Sequence, residues 1–282
     1  MFPPVFLNIA EDNLSRRRPN PLEKHVLPKL GGKPVSQITA EDVRTILVEI
    51  WRSKHPTAEK AIQRLRMTFQ RGMLRGFDCD PKTITIAEEL LGPWHHRTTP
   101  TPETDWRDIP ELYRWLEGKG VAATCLQFLM LTVVRTHGCR AARFDEIEGD
   151  IWTVTEERVK GRVKTVEPFR VPLAPAVLEL AQRRRLLGGE FLFTGHRGNP
   201  ISNSSMSKFL RDHGVEGRPH GFRTSFRTWA QDNQVGDPTV VEKIMDHSTG
   251  NKTVRAYARS DLLEPRRPIM EAWAEYVTGG ST

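Results

Sequence analysis

The chain has 282 residues, enough for one large or two modest domains, and its 42 Lys and Arg against 35 Asp and Glu leave a net charge of +7. That balance favours a polyanionic partner. Three cysteines, Cys79, Cys125 and Cys139, without any CxxC or paired spacing argue against a disulfide scaffold or a zinc site and point to an intracellular protein. No apolar run reaches the length of a membrane span, and the opening residues lack the apolar stretch and charge order of a signal peptide.

The first part of the chain reads as helical. Thr39 is a candidate N-cap with Asp42 three residues on, a capping-box-like start, and Val43, Ile46, Leu47 and Ile50 then recur at helical spacing. A second helix over "PTAEKAIQRLRMTFQRGMLRGF" puts Ala61, Leu65, Phe69 and Met73 on one side. Its other faces carry Lys60, Arg64, Arg66, Arg71 and Arg75, with Glu59 as the one acid. A charged helix face is usually only solvated, but this excess of cations assigns the helix to phosphate contact. Residues 92–106, "GPWHHRTTPTPETDW", are rich in Pro and Thr and lack a hydrophobic period, so they read as a linker. His95 and His96 inside it have no acidic or cysteine companion and are read as linker residues, not as a metal pair.

After the linker the pattern is mixed. "IPELYRWLEG" and "ATCLQFLMLTVV" read as helices, "DIWTVT" and "EPFRVPLA" as strands flanking a basic turn, and "FLF" as a short strand. "SNSSMSKFLRDHG", "GFRTSFRTWAQDN", "PTVVEKIMDH" and "NKTVRAYARS" read as successive helices. The amphipathic end, "PIMEAWAEYV", either docks on another subunit or closes its own domain. The expected class is α+β and mostly helical. A small all-α domain spans residues 1–97, and a mixed helical domain with a small antiparallel sheet spans residues 98–282.

Six residues of the second part suit phosphoryl transfer without a metal: Arg135, Lys160, His220, Arg223, His247 and Tyr257. An arginine fork holds two phosphate oxygens at once. Histidine moves protons near neutral pH, lysine protonates a leaving oxygen, and tyrosine can carry the phosphoryl group covalently. Each alone has a plainer reading. Arg135 suits a helix C-terminus, where a cation is favoured; Tyr257 could be a packed aromatic; Lys164 rivals Lys160 on the same turn.

Their order resembles the tyrosine recombinase (phage integrase) family. The resemblance rests on "His220-Gly-Phe-Arg223-Thr-Ser-Phe-Arg", on "Met245-Asp246-His247", on "Ala256-Tyr257" and on the tail "LLEPRRPIMEAWAEYV", and it runs from roughly residue 20 to the end. It implies a helical core-type DNA-binding domain followed by a catalytic domain. It also implies a site-specific recombinase that cleaves and rejoins DNA through a 3′-phosphotyrosine, without metal or ATP. In that scheme Tyr257 is the nucleophile, Arg135 and Arg223 hold the phosphate, and Lys160, which fits the family spacing better than Lys164, protonates the leaving 5′ oxygen. His220 assists the nucleophile and His247 hydrogen-bonds the phosphate. The implied setting is a homotetramer on double-stranded core sites in a bacterial cytoplasm, integrating or excising a prophage or genomic island. A directionality factor or a host DNA-bending protein would be a further partner.

Two departures qualify the resemblance. The family commonly carries an acid three residues after its first arginine; here that place is Gly138, so the supporting carboxylate is expected elsewhere, at Asp145 or Glu146. The chain also begins close to the core-binding region, as a short recombinase lacking an arm-binding domain or a piece of a longer one. The rival readings are a catalytically impaired DNA-binding protein of the same fold and a type IB topoisomerase-like enzyme.

Overall fold

The structure is a computed structural model that describes residues 21–94, 103–155, 168–247 and 260–279. The chain divides into two compact units, Met1–Thr99 and Pro100–Thr282. The described residues are mostly helical, with one three-stranded antiparallel sheet. Among the described residues no helix is long and apolar enough to cross a membrane.

The first unit is built on helices α1 (Ala40–Ser53), α2 (His55–Leu74) and α3 (Lys82–Leu91). Helix α1 starts where its sequence says it should. The Thr39 hydroxyl accepts from the Asp42 backbone N–H at 3.1 Å, and the Asp42 carboxylate accepts in return from the Thr39 N–H at 2.8 Å, so two otherwise orphaned donors are satisfied. Leu47, Leu65, Phe69, Ile84 and Ala87 close a core with Leu22 and Val26 from the helical segment Leu22–Val26 before α1.

Met73 departs from its expected face and is half exposed. Residues spaced by four rotate about 40° per step on a helix of 3.6 residues per turn, so the series Ala61, Leu65, Phe69 drifts off the core side by Met73. Gly72 occupies the buried position there instead. The cations of α2 also separate. At about 100° per residue, Lys60, Arg64, Arg71 and Arg75 form one stripe. Arg66 lies on another face, where it pairs with Glu88 at 2.6 Å.

In the second unit, α4 (Ile109–Trp115) leads to α5 (Val121–Thr132) and the short α6 (Thr136–Arg140). Helix α5 is apolar all round and buried from Cys125 to Thr132, as a central core helix must be. The Cys125 and Cys139 thiols, distant in sequence, face each other in this core with sulfurs 3.7 Å apart.

The sheet pairs β1 (Ile147–Glu148), β2 (Ile151–Val154) and β3 (Phe169–Pro172), with Trp152 opposite Val171. Its two longer strands are those expected; β1, only two residues long, is too short to leave a pattern in the sequence. Residues 191–193 do not form the expected strand. Phe191 makes an isolated bridge to Arg143, and Leu192 and Phe193 are buried in a turn, so their apolar character reflects depth and not sheet pairing. Beyond the sheet lie α7 (Pro175–Arg185), α8 (Ser205–Asp212), α9 (Gly221–Asp232), α10 (Pro238–Ile244) and α11 (Leu263–Thr278).

The C-terminal helix α11 closes its own unit. Ile269, Met270, Trp273, Ala274 and Val277 enter the core, and the Trp273 indole N–H donates to the Met130 carbonyl at 2.7 Å. Trp273→Ala removes a fully buried ring and orphans that carbonyl, so it should cost about 3–5 kcal/mol. Urea unfolding of the variant beside the parent chain measures it; a loss under about 1 kcal/mol would show that α11 is not part of the core.

Candidate active site

Three segments of the second unit bring the site together. The first is the break between α5 and α6. Val133 takes a left-handed conformation, φ 56°, while its N–H still closes the last turn of α5 on the Leu129 carbonyl at 2.9 Å. A β-branched residue seldom holds that conformation, and here the turn aims the Val133 carbonyl at Arg223. The chain then runs extended through Arg135, which caps the start of α6. Arg135 is therefore not a charge placed at the C-terminus of α5; it stands in the break, half buried.

The second segment is the start of α9. His220 is its N-cap residue and is exposed; Arg223 follows one turn later on the same side. Arg223 is only 4 % exposed. Its Nη1 donates to the Val133 carbonyl at 2.5 Å, and its Nη2 donates to the Met245 carbonyl and faces His247 Nε2 at 3.0 Å. Its Nε is buried and has no partner among the described residues. Burial, and next the charge of Arg135, push the guanidinium down to about 10, so it remains a cation at neutral pH.

The third segment is the turn after α10. Asp246, left-handed at φ 51°, pairs its carboxylate with Arg135 Nη1, and its carbonyl accepts from Arg135 Nη2 at 2.9 Å. His247 follows. Its Nδ1 lies 2.7 Å from Glu242, whose other oxygen pairs with Arg227 at 2.8 Å. An imidazole that donates from Nδ1 to a carboxylate presents a lone pair at Nε2, so the hydrogen-bond network assigns Nε2 as the acceptor from Arg223. Glu242 thus fixes the ring, and the ring helps fix the guanidinium.

Arg135, Arg223 and His247, far apart in sequence, meet in one network, with His220 beside it on α9. Lys160, its rival Lys164, and Tyr257 lie outside the described residues. What flanks them is anchored. Arg170 on β3 donates from Nε to Asp261 at 2.9 Å, and the buried Arg266 of α11 reaches the same carboxylate at 3.6 Å. Strand β3, which follows Lys160 in sequence, and the chain after Tyr257 are held by one carboxylate. Neither Asp145 nor Glu146 is the partner of Arg135: Asp145 pairs with Arg143, and Glu146 accepts from the Arg143 backbone N–H and the Trp152 indole. Their place in the sequence put them near, but the 3-10 turn at 144–146 directs them to Arg143. The sequence reading missed Asp246 and Glu242; an acid directly before the box histidine was the available signal.

Residues 107–263 match the Phage integrase family. The chain belongs to that family. Its first unit matches the phage integrase central domain over residues 9–81. Prophage integrase IntZ of Escherichia coli K12 is 29% identical over 268 residues, covering 91% of this chain and 64% of that protein. Prophage integrase IntA of the same organism is 26% identical over 267 residues, covering 91% and 63%. This integrase-family chain thus spans a little under two thirds of the length of these relatives. Its fold is that of lambda integrase, solved as a tetramer bound to a Holliday junction, with a TM-score of 0.66 at 15% identity over 91% of this chain and 76% of the other.

Proposed function

We propose that this integrase-family chain carries the DNA-cleaving and rejoining core of a site-specific recombinase for a prophage or genomic island. The carrying observation is the Arg135–Arg223–His247 network: two arginines from distant segments, held in place by backbone carbonyls and by His247. Donors fixed before the reaction stabilise charge that develops on a phosphate without reorganising. In this reading the Tyr257 oxygen bonds to the scissile phosphorus, the P–O5′ bond breaks, and the product is a 3′-phosphotyrosine and a free 5′ hydroxyl. Lys160 supplies the proton to O5′, and His220 takes up the tyrosine proton. A second 5′ hydroxyl reverses the step, so the bond energy is conserved and no nucleotide is consumed. The lambda integrase tetramer supports four protomers acting on paired sites. The protein would work in the bacterial cytoplasm, with a directionality factor or DNA-bending protein setting the outcome.

The test is a nicked duplex from the ends of the DNA element that carries the gene. Denaturant-stable protein–DNA adduct should accumulate in EDTA and without ATP. Absence of adduct while the DNA is bound would support a DNA-binding protein of the same fold instead.

Within the first unit, the stripe Lys60, Arg64, Arg71 and Arg75 is the proposed DNA face, with Arg66 partly committed to Glu88. Neutralising Lys60, Arg64 and Arg71 together should flatten the salt dependence of binding by about 2–3 in log–log slope, roughly one per lost phosphate contact. Arg66→Gln should change the slope less. An unchanged slope in the triple variant would take this helix off the DNA.

A further inference from the structure

We propose that Asp246 is the positioning carboxylate of Arg135, supplied from the turn after α10 in place of the acid that residue 138 does not provide. The proposal rests on the recombinase reading above.

Position 138 supplies no carboxylate, and its surroundings are apolar. Gly138 is buried, and a Cβ there would lie 3.2 Å from Val134 Cγ1 and 3.5 Å from Val154 Cγ1. An acid at that point would be pressed among valine methyls, where a charge without a partner is costly. Yet Arg135 stands beside the buried cation Arg223, and two like charges in one partly dry site need a counter-charge.

Asp246 meets that need. Its carboxylate and its own backbone carbonyl both take Arg135, so one residue engages the Nη1 and Nη2 ends of the fork. The carboxylate is 10% exposed. The left-handed backbone at Asp246 is what turns both acceptors to the same side, and aspartate tolerates that conformation better than most residues. The other carboxylates in the region are engaged elsewhere: Glu242 with His247 and Arg227, Asp145 with Arg143. A guanidinium has five N–H groups. With two of them directed at Asp246, Nε and the remaining η hydrogens are left for a phosphate. Asp246 would thus orient Arg135 and offset its charge without touching the reacting atoms. Because His247 follows directly, one turn sets both Arg135 and, through His247, Arg223.

The experiment compares the full chain with Arg135→Ala, Asp246→Asn and the double variant in single-turnover cleavage of the nicked duplex. Asparagine keeps the size of aspartate and its tolerance of the left-handed backbone, so the fold is retained; melting temperature and DNA affinity confirm it. Asp246→Asn should cleave roughly 10- to 100-fold slower, the range typical of lost supporting partners of a site. Adding it to Arg135→Ala should cost little more, because the two act as a unit. On a duplex with a neutral methylphosphonate at the scissile position, which asks less of the cation, the Asp246→Asn deficit should shrink. A loss that is additive with Arg135→Ala, or one unmoved by the methylphosphonate, would overturn the proposal. So would an Asp246→Asn protein at or above the parental rate while Arg135→Ala is impaired, since the carboxylate would then only compete with the phosphate. If Arg135→Ala itself cleaves normally, the recombinase reading falls first and the assignment of Asp246 with it.

Discussion

Tyr257→Phe will abolish the covalent protein–DNA adduct while leaving DNA binding nearly intact. Only the hydroxyl is lost, and it is the atom that must bond to phosphorus; nothing else in the proposed step can replace it. Binding is set by cations over many phosphates and does not use that oxygen. Gel separation of denatured adduct, beside affinity measured at one fixed salt concentration, reads both effects. Adduct persisting in the phenylalanine variant would move the nucleophile to another residue.

Arg223→Lys will be the second severe change, although it keeps the charge. Arg223 spreads its donors over the Val133 and Met245 carbonyls and His247 Nε2 at once. A lysine ends in a single nitrogen and cannot span them. The expected loss in single-turnover cleavage is about 10²- to 10³-fold, the scale for removing one preorganised donor to developing charge. Stability should fall as well, by about 1–3 kcal/mol, because a buried carbonyl is left without its donor. Cleavage rates and urea unfolding on the same preparations separate the two effects. A lysine variant with parental rates would mean that Arg223 is a structural tie and that the phosphate is held elsewhere.

Much of this protein was legible before any tertiary contact was known. The capping box at Thr39 and Asp42, the helical period through Val43, Leu47 and Ile50, and the two longer strands follow local rules, because their hydrogen bonds and apolar spacing lie within a few residues. The residue types of the His220–Arg223 box stand close together and show in the sequence, whereas the meeting of Arg135, Arg223 and His247 in one network is the work of the fold. Met73 fell off its face through helical drift, which is local geometry that a strict spacing of four ignores. Other features depended on distant partners: residues 191–193 were apolar because they are deep, so burial and strand character could not be told apart in three residues. The fate of α11 was open until Trp273 met Met130, because an amphipathic face states that it needs cover and not what covers it. The carboxylate beside Arg135 was sought in the same stretch of chain, at Asp145 or Glu146. It came instead from Asp246, over a hundred residues away, because the left-handed turn at Asp246 meets Arg135 only once the helices have packed. Residue types and their order set the chemistry available to this chain. Which acid serves which arginine was decided by packing, since a charge is paired with whatever the fold brings within reach.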